Sequence, residues 1–450
     1  MSALARMPVL YKSATWSLLG TVVPMFAGLL AIPFLIQYLG QERLGVLSLI
    51  WVIVGYFSFL DMGLGRAVTV AVASCRSDPS SGRANELHIV GTASVLLVTV
   101  GCAAAFFLGL GLLGFGVPIR LSSPEFAQEV RLAVLWMLPS LPLLLLSSAL
   151  RGHLEGLAEF RALNLLRIPT GVMLVAAPCL AALYSPHLMW ASISILVVRV
   201  VHLWVLIWLA ATTMELRSLP FLKALLGASS SAWLRRLMAF GGWVTVSNIV
   251  GPIIVYVDRF VIGAVVAAAS VALYAVPFDV VSRLPILVAA LCSVLLPELA
   301  RLSRGIQHQP GNLGRIRSLV RRSSILSAAV VSALVLVGCL ATPWALRVWL
   351  GPTFEAQSTL ITQILLLAFG VNAVAQIPFT ALQAAGRVRS VALLHVVELL
   401  PYGASLYVAI SWLGIEGAAW ASLLRSVIDY LVLSWMWHRH TPSSATAHPV

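Results

Sequence analysis

Apolar runs of about twenty to thirty residues recur along this whole chain, and one helix needs about that length to cross a bilayer. Twelve such runs can be marked. The first six are 15–38, 44–74, 87–116, 127–149, 163–184 and 187–211. The other six are 237–264, 270–297, 324–350, 359–384, 390–412 and 414–436. Charged residues make up only 10% of the chain, where soluble domains carry about 25%. The reading is an all-α integral membrane protein of about 12 transmembrane helices with little soluble mass. The polar start MSALARMPVLYKS runs into the first apolar stretch without a small-residue cleavage site. A first transmembrane helix is expected there, not a removed signal peptide.

The net charge of +13 sets sidedness. With the N-terminus placed in the cytoplasm, the inner segments carry nineteen basic residues. The outer segments carry only Arg43, Arg120, Arg131 and Arg347. This asymmetry places both termini inside. No nucleic-acid motif accompanies the charge, so no nucleic-acid partner is expected; the lipid bilayer is. Cys75, Cys102, Cys179, Cys292 and Cys339 lie in or beside apolar runs and form no CxxC, so they read as small packing residues.

The polar, basic stretch at 213–236 reads as a cytoplasmic linker between lobes at 1–212 and 237–440, with a cytoplasmic tail at 441–450. The lobes are weakly repeated. RALNLL at 161–166 matches RSVALL at 389–394, and Trp190-Ala191-Ser192 matches Trp420-Ala421-Ser422. Both copies start on the same side of the membrane, so the repeat is parallel.

Charges inside apolar runs are costly and mark function by default. The first half carries Arg66, Arg167 and Arg199 with Asp61 as its only buried acid. The second carries Arg259, Arg283 and Arg425 with Asp258, Asp279, Glu398 and Asp429. Asp279 with Arg283, and Arg425 with Asp429, are four apart and can pair on one helix face. Asp258 and Arg259 are adjacent, so they point apart and each needs another partner. Arg66, Arg167 and Arg199 form a candidate cationic ladder from the cytoplasm to the midplane, and a guanidinium fork suits phosphate. His153, His202 and His395 read as structural hydrogen-bonding residues. Trp243, Tyr256 and Tyr274 flank the charged helix and are candidates for stacking on sugars. Pro252, Pro277 and Pro285 break backbone hydrogen bonds in the same region, as helices lining a cavity do.

The stretch 240–302 resembles the polysaccharide (oligosaccharide) flippase family of the multidrug/oligosaccharidyl-lipid/polysaccharide exporter superfamily. The resemblance rests on Asp258-Arg259, Ile262-Gly263, Tyr274 and Pro277-Phe278. It extends to Leu39-Gly40 with Gly45, Asp61-Met62-Gly63-Leu64-Gly65 and the segment 149–167, which is similar to the loop between the family's fourth and fifth spans. It ends in Glu398, Gly414 to Ala419, Arg425 and Asp429. The resemblance implies two six-helix lobes forming a V around a central cavity. It implies a bacterial cytoplasmic (inner) membrane protein that flips polyprenyl-diphosphate-linked oligosaccharide outward. No cofactor is expected beyond a proton or sodium ion for coupling. Arg66, Arg167, Arg199, Arg259 and Arg283 are then the expected substrate-binding residues. Asp61, Asp258, Asp279, Glu398 and Asp429 are the expected ion-coupling ones. A polysaccharide polymerase and chain-length machinery are the implied protein partners.

Two alternatives remain open from sequence. A cation-coupled multidrug exporter of the same superfamily should have an acidic first-half cavity, and this one is net basic. A membrane polysaccharide polymerase or glycosyltransferase needs catalytic groups on substantial external loops. The external segments here are all shorter than about 15 residues, the length of plain connections. A scaffold without transport would not retain the buried charges.

Overall fold

The computed structural model describes the backbone of residues 3–56, 60, 61, 63–77, 83–304 and 312–440. Side-chain surroundings are described within those limits, except at 3–21, 54–56, 239–253 and scattered single positions. Trp243 and Pro252 therefore lie outside the described side chains, as does part of the arginine-rich segment after Glu298.

Among the described residues there are fifteen helices and no strand. Contacts divide the chain into two compact units, Met1–Ile253 and Ile254–Val450. Eight segments of the described residues are helical, long and apolar enough to cross a membrane, by length and composition. Their outward faces are apolar. On the helix after Asn312, the side chains Leu336, Leu340, Trp344 and Val348 recur every fourth residue, and each is more than half exposed. Such a stripe is at home in lipid.

The first unit begins with α1 (Ala3–Tyr56), two helices end to end that turn at Gly40 (φ 81°). The run expected at 44–74 is not continuous, because α1 ends at Tyr56 and α2 spans Leu64–Ser77. Asp61 explains the break. Its Oδ1 accepts a hydrogen bond from the Gly63 N–H at 2.8 Å, a local bond that competes with helical pairing. Gly63 takes φ 67°, which a residue without Cβ reaches at no steric cost. Then come α3 (Arg83–Phe115), α4 (Pro124–Met137) and α5 (Ser140–Gly156). The Ser123 side chain caps α4 by accepting from Phe126 N at 3.2 Å, with Pro124 at the first helical position. Three further helices follow: α6 (Phe160–Tyr184), α7 (Leu188–Thr213) and α8 (Ser218–Gly227). In the linker segment, α8 buries Phe221 and Leu225 against the α3 side of the core. The long α9 (Ser231–Val265) carries the division between the units.

The helices α2 and α5 meet backbone to backbone, as small residues allow in membranes. A Cβ added at Gly152 would overlap the Gly65 carbonyl, and one at Gly156 would sit 2.9 Å from the Thr69 carbonyl. Gly152→Val is therefore expected to push the helices apart and to cost about 3 kcal/mol, the upper range for overpacking. Thermal unfolding of purified protein in detergent checks this. An unchanged midpoint would contradict the close approach.

A partly buried polar hub ties one end of this unit together. Glu129 of α4 accepts two hydrogen bonds from Arg43 of α1, both at 2.8 Å, and one from the Leu188 N–H of α7 at 2.7 Å. Glu86 is buried, paired with Arg76 at 3.0 Å. Asp61, itself only half-buried, is thus not the only acid drawn into the first half. The other two were hidden because their arginines balance them.

The second unit holds α10 (Ala268–Val281), α11 (Ile286–Arg304), α12 (Asn312–Leu350), α13 (Pro352–Ala384), α14 (Val388–Leu413) and α15 (Ile415–His440). The central helix is α13, which packs on α10, α11, α12 and α15. The run expected at 270–297 is interrupted by a turn at Ser282–Pro285. Proline disfavours helical geometry in the residue before it, so α10 stops short of Arg283. The α14–α15 hairpin turns at Gly414.

The repeated Trp-Ala-Ser motif has matching surroundings in the two units. Trp190 and Trp420 are exposed, while Ala191, Ser192, Ala421 and Ser422 are buried.

Candidate functional site

In the first unit α5, α6 and α7 enclose a cavity of about 540 Å³. Its polar lining comprises Ser147, Arg151 and Glu155 from α5, Asn164, Arg167 and Thr170 from α6, and Arg199 and His202 from α7. Helical spacing makes the lining. Ser147, Arg151 and Glu155 are four apart, as are positions on one α-helical face. Three arginines face one glutamate, and Arg151 feels the positive charge of Arg167 and Arg199. Arg199 Nε is buried without a hydrogen-bond partner. Thr170 donates its hydroxyl to the Leu166 carbonyl at 2.8 Å, so it accepts from His202 Nδ1 at 3.0 Å. That fixes the proton of neutral His202 on Nδ1 and leaves Nε2 as an acceptor.

Two of the three expected first-half arginines, Arg167 and Arg199, come together here. Arg66 is exposed on α2 and does not line the cavity. Arg151 was expected in a cytoplasmic loop. It lies instead within α5, because that helix runs on to Gly156 and leaves only Leu157–Glu159 as the connection to α6. The Ser147–Arg151–Glu155 spacing was the available signal. Asp61 does not answer Arg199. Its Oδ1 is held by Gly63 and its Oδ2 accepts from Ser148 Oγ at 2.8 Å, which ties the broken helix to α5.

The second unit buries a charge cluster. Asp258 and Arg259 are 1% and 2% exposed. As their adjacency required, each finds a separate side-chain partner. Tyr274 Oη donates to Asp258 Oδ2 at 2.5 Å, and Arg259 Nη2 donates to Asp279 Oδ1 at 2.5 Å. The other Asp258 oxygen accepts from the Arg259 backbone N–H at 2.8 Å. The Arg259 guanidinium also lies 5.2 Å from the ring centroids of Tyr256 and Phe278. Neither expected four-residue pair forms among the described residues. Asp279 pairs with Arg259, and Arg283 sits exposed in the turn beyond the end of α10. Arg425 lies 5.1 Å above the Tyr402 ring, and Asp429 Oδ1 faces His395 Nε2 at 3.7 Å. Both Glu398 oxygens are buried without a hydrogen-bond partner.

The family described as "Polysaccharide biosynthesis protein" matches residues 10–303. A Shigella flexneri protein named "Putative O-antigen transporter" is 29% identical over 428 residues, covering 95% of this chain and 97% of that protein. A solved inward-facing multidrug resistance MATE family transporter of the MOP superfamily shares the fold with a TM-score of 0.68. It is 12% identical, and the match covers 95% of this chain and 99% of that one. The lipid II flippase MurJ, in an inward closed conformation, gives a TM-score of 0.66 at 14% identity, over 94% of this chain and 87% of its own. At these identities the structures speak for the fold, and the family match bears out the resemblance read around Asp258-Arg259. The chain belongs to the polysaccharide biosynthesis protein family.

Proposed function

We propose that this protein is a flippase, not an enzyme, that carries polyprenyl-diphosphate-linked oligosaccharide repeat units from the inner to the outer leaflet for O-antigen or exopolysaccharide assembly. The observation that carries the reading is the unit-1 cavity, where three arginines outnumber one glutamate and Arg199 Nε has no partner. A diphosphate answers unpaired guanidinium groups with charge-assisted, forked hydrogen bonds. Ser147, Asn164 and Thr170 supply hydroxyl and amide groups for sugar. The family and the Shigella relative agree with this chemistry. Export of organic cations, the nearest alternative, would need an acidic cavity.

In this reading the chain has about twelve spans arranged as two six-helix lobes around a V-shaped cavity, and it alternates access between the two faces. It lies in the bacterial inner membrane with both termini in the cytoplasm, as its arginine asymmetry supports. Its substrate passes to a polymerase with chain-length machinery. A proton or sodium ion drives turnover through Asp258, the most deeply buried acid of the second unit.

Binding tests the chemistry directly. Purified protein should bind a polyprenyl-diphosphate oligosaccharide at least about tenfold more tightly than the same glycan on an uncharged polyprenol. One charged hydrogen bond of about 1.5 kcal/mol already gives that ratio. Equal affinity for the two would contradict the reading.

A further inference from the structure

Two helices of the second unit bring three donor groups together. His395 and Glu398 lie three apart on α14 and share a face. Asp429 comes from α15, which packs on α14. One imidazole nitrogen and one oxygen from each carboxylate all lie within 4.8 Å of one another. None of them is used elsewhere. His395 Nε2 stands 3.7 Å from Asp429 Oδ1, beyond hydrogen-bond range. Asp429 is only 5% exposed, yet its Oδ1 is buried with no hydrogen-bond partner, and both Glu398 oxygens are in the same condition. The His395 ring is held in place by stacking on Phe379 of α13, 6.1 Å between centroids at 21°. The neighbouring cation, Arg425, lies over Tyr402 and hydrogen-bonds none of the three carboxylate oxygens that stand without partners.

Three buried carboxylate oxygens without hydrogen-bond partners are costly, and a cation held between them and His395 would satisfy them. The donor types narrow which cation. Calcium and magnesium take oxygen donors, whereas an imidazole beside carboxylates suits a divalent transition ion. Distance agrees. Tetrahedral bonds of about 2.0–2.2 Å hold ligand atoms about 3.4 Å apart. The observed 3.7 Å between His395 and Asp429 needs a contraction of only a few tenths of an ångström. We infer that His395, Glu398 and Asp429 form a binding site for a divalent transition-metal ion of the zinc type, which staples α14 to α15. The site belongs to the second unit, and the inference does not depend on the substrate assigned to the first.

The test uses full-length, tag-free, metal-stripped protein in detergent, titrated with Zn²⁺ and with Co²⁺ as a spectroscopic probe. One equivalent is expected to bind, with visible ligand-field absorption for Co²⁺. The unfolding midpoint should rise with free Zn²⁺, as it does for any ligand of the folded state. Glu398→Gln and His395→Ala should each weaken binding at least about tenfold, since losing even an outer partner of a metal ligand costs that much. His395→Cys keeps a zinc donor and should retain binding. The inference is overturned if the wild type takes up no zinc, or if either ligand variant binds it unchanged. It is also overturned if Na⁺ raises the wild-type midpoint as much as Zn²⁺ does. The wild-type Co²⁺ spectrum and the Na⁺ comparison decide the matter even where a variant folds poorly.

Discussion

Arg199→Ala is expected to lower transport of the lipid-linked oligosaccharide roughly a hundredfold while the protein still accumulates in the membrane. Arg199 is the twelfth residue of a 26-residue helix. At about 1.5 Å per residue it stands about 17 Å from one end and about 21 Å from the other, beyond easy snorkelling to the headgroups. Its Nε is buried without a partner, and Arg151 nearby repels it. No acid on the same helix compensates. Two charge-assisted hydrogen bonds to a diphosphate are worth about 3 kcal/mol together, hence the hundredfold loss. Arg199→Lys keeps the charge but not the fork and should transport partially. Unchanged transport by Arg199→Ala would remove it from the substrate site. Failure of that variant to accumulate would give Arg199 a structural role.

The second large effect is on stability. Arg259→Ala is expected to cost about 3 kcal/mol and to lower the amount of folded protein. The side chain is 3% exposed, and its removal strips Asp279 of its cation and leaves a void beside Tyr256 and Phe278. Breaking a buried ion pair costs about 3–5 kcal/mol. Asp279 is 51% exposed, so water recovers part of its loss and the lower figure applies. Arg259→Lys restores charge without the flat contact on both rings and should fall between. Thermal unfolding in detergent measures the order. A wild-type midpoint in Arg259→Ala would show the pair to be dispensable.

Much of this architecture could be read from patterns a helix imposes. Long apolar runs marked the helices, and the adjacency of Asp258 and Arg259 correctly implied separate partners. Local breaks escaped that reading because one or two residues decide them. Asp61 with Gly63 splits a run of apolar residues, and Pro285 ends α10 before Arg283 can meet Asp279. The site was half legible. Arg167 and Arg199 stood out as charges in apolar runs. Arg151 did not, because charge counting assigned its segment to a loop. His395 looked like a lone histidine, although its three-residue spacing from Glu398 was visible. Its third neighbour, Asp429, comes from another helix, and only packing joins them.

In its proposed function the protein moves a lipid-linked anion across the bilayer. Purified protein in liposomes, given a fluorescent polyprenyl-diphosphate oligosaccharide, measures it directly through the share of label reachable by a membrane-impermeant quencher. The expected result is transfer between leaflets at a rate well above protein-free liposomes, with Arg199→Ala near the protein-free rate. Transfer no faster than in protein-free liposomes, with coupling gradients of either ion applied, would contradict the account.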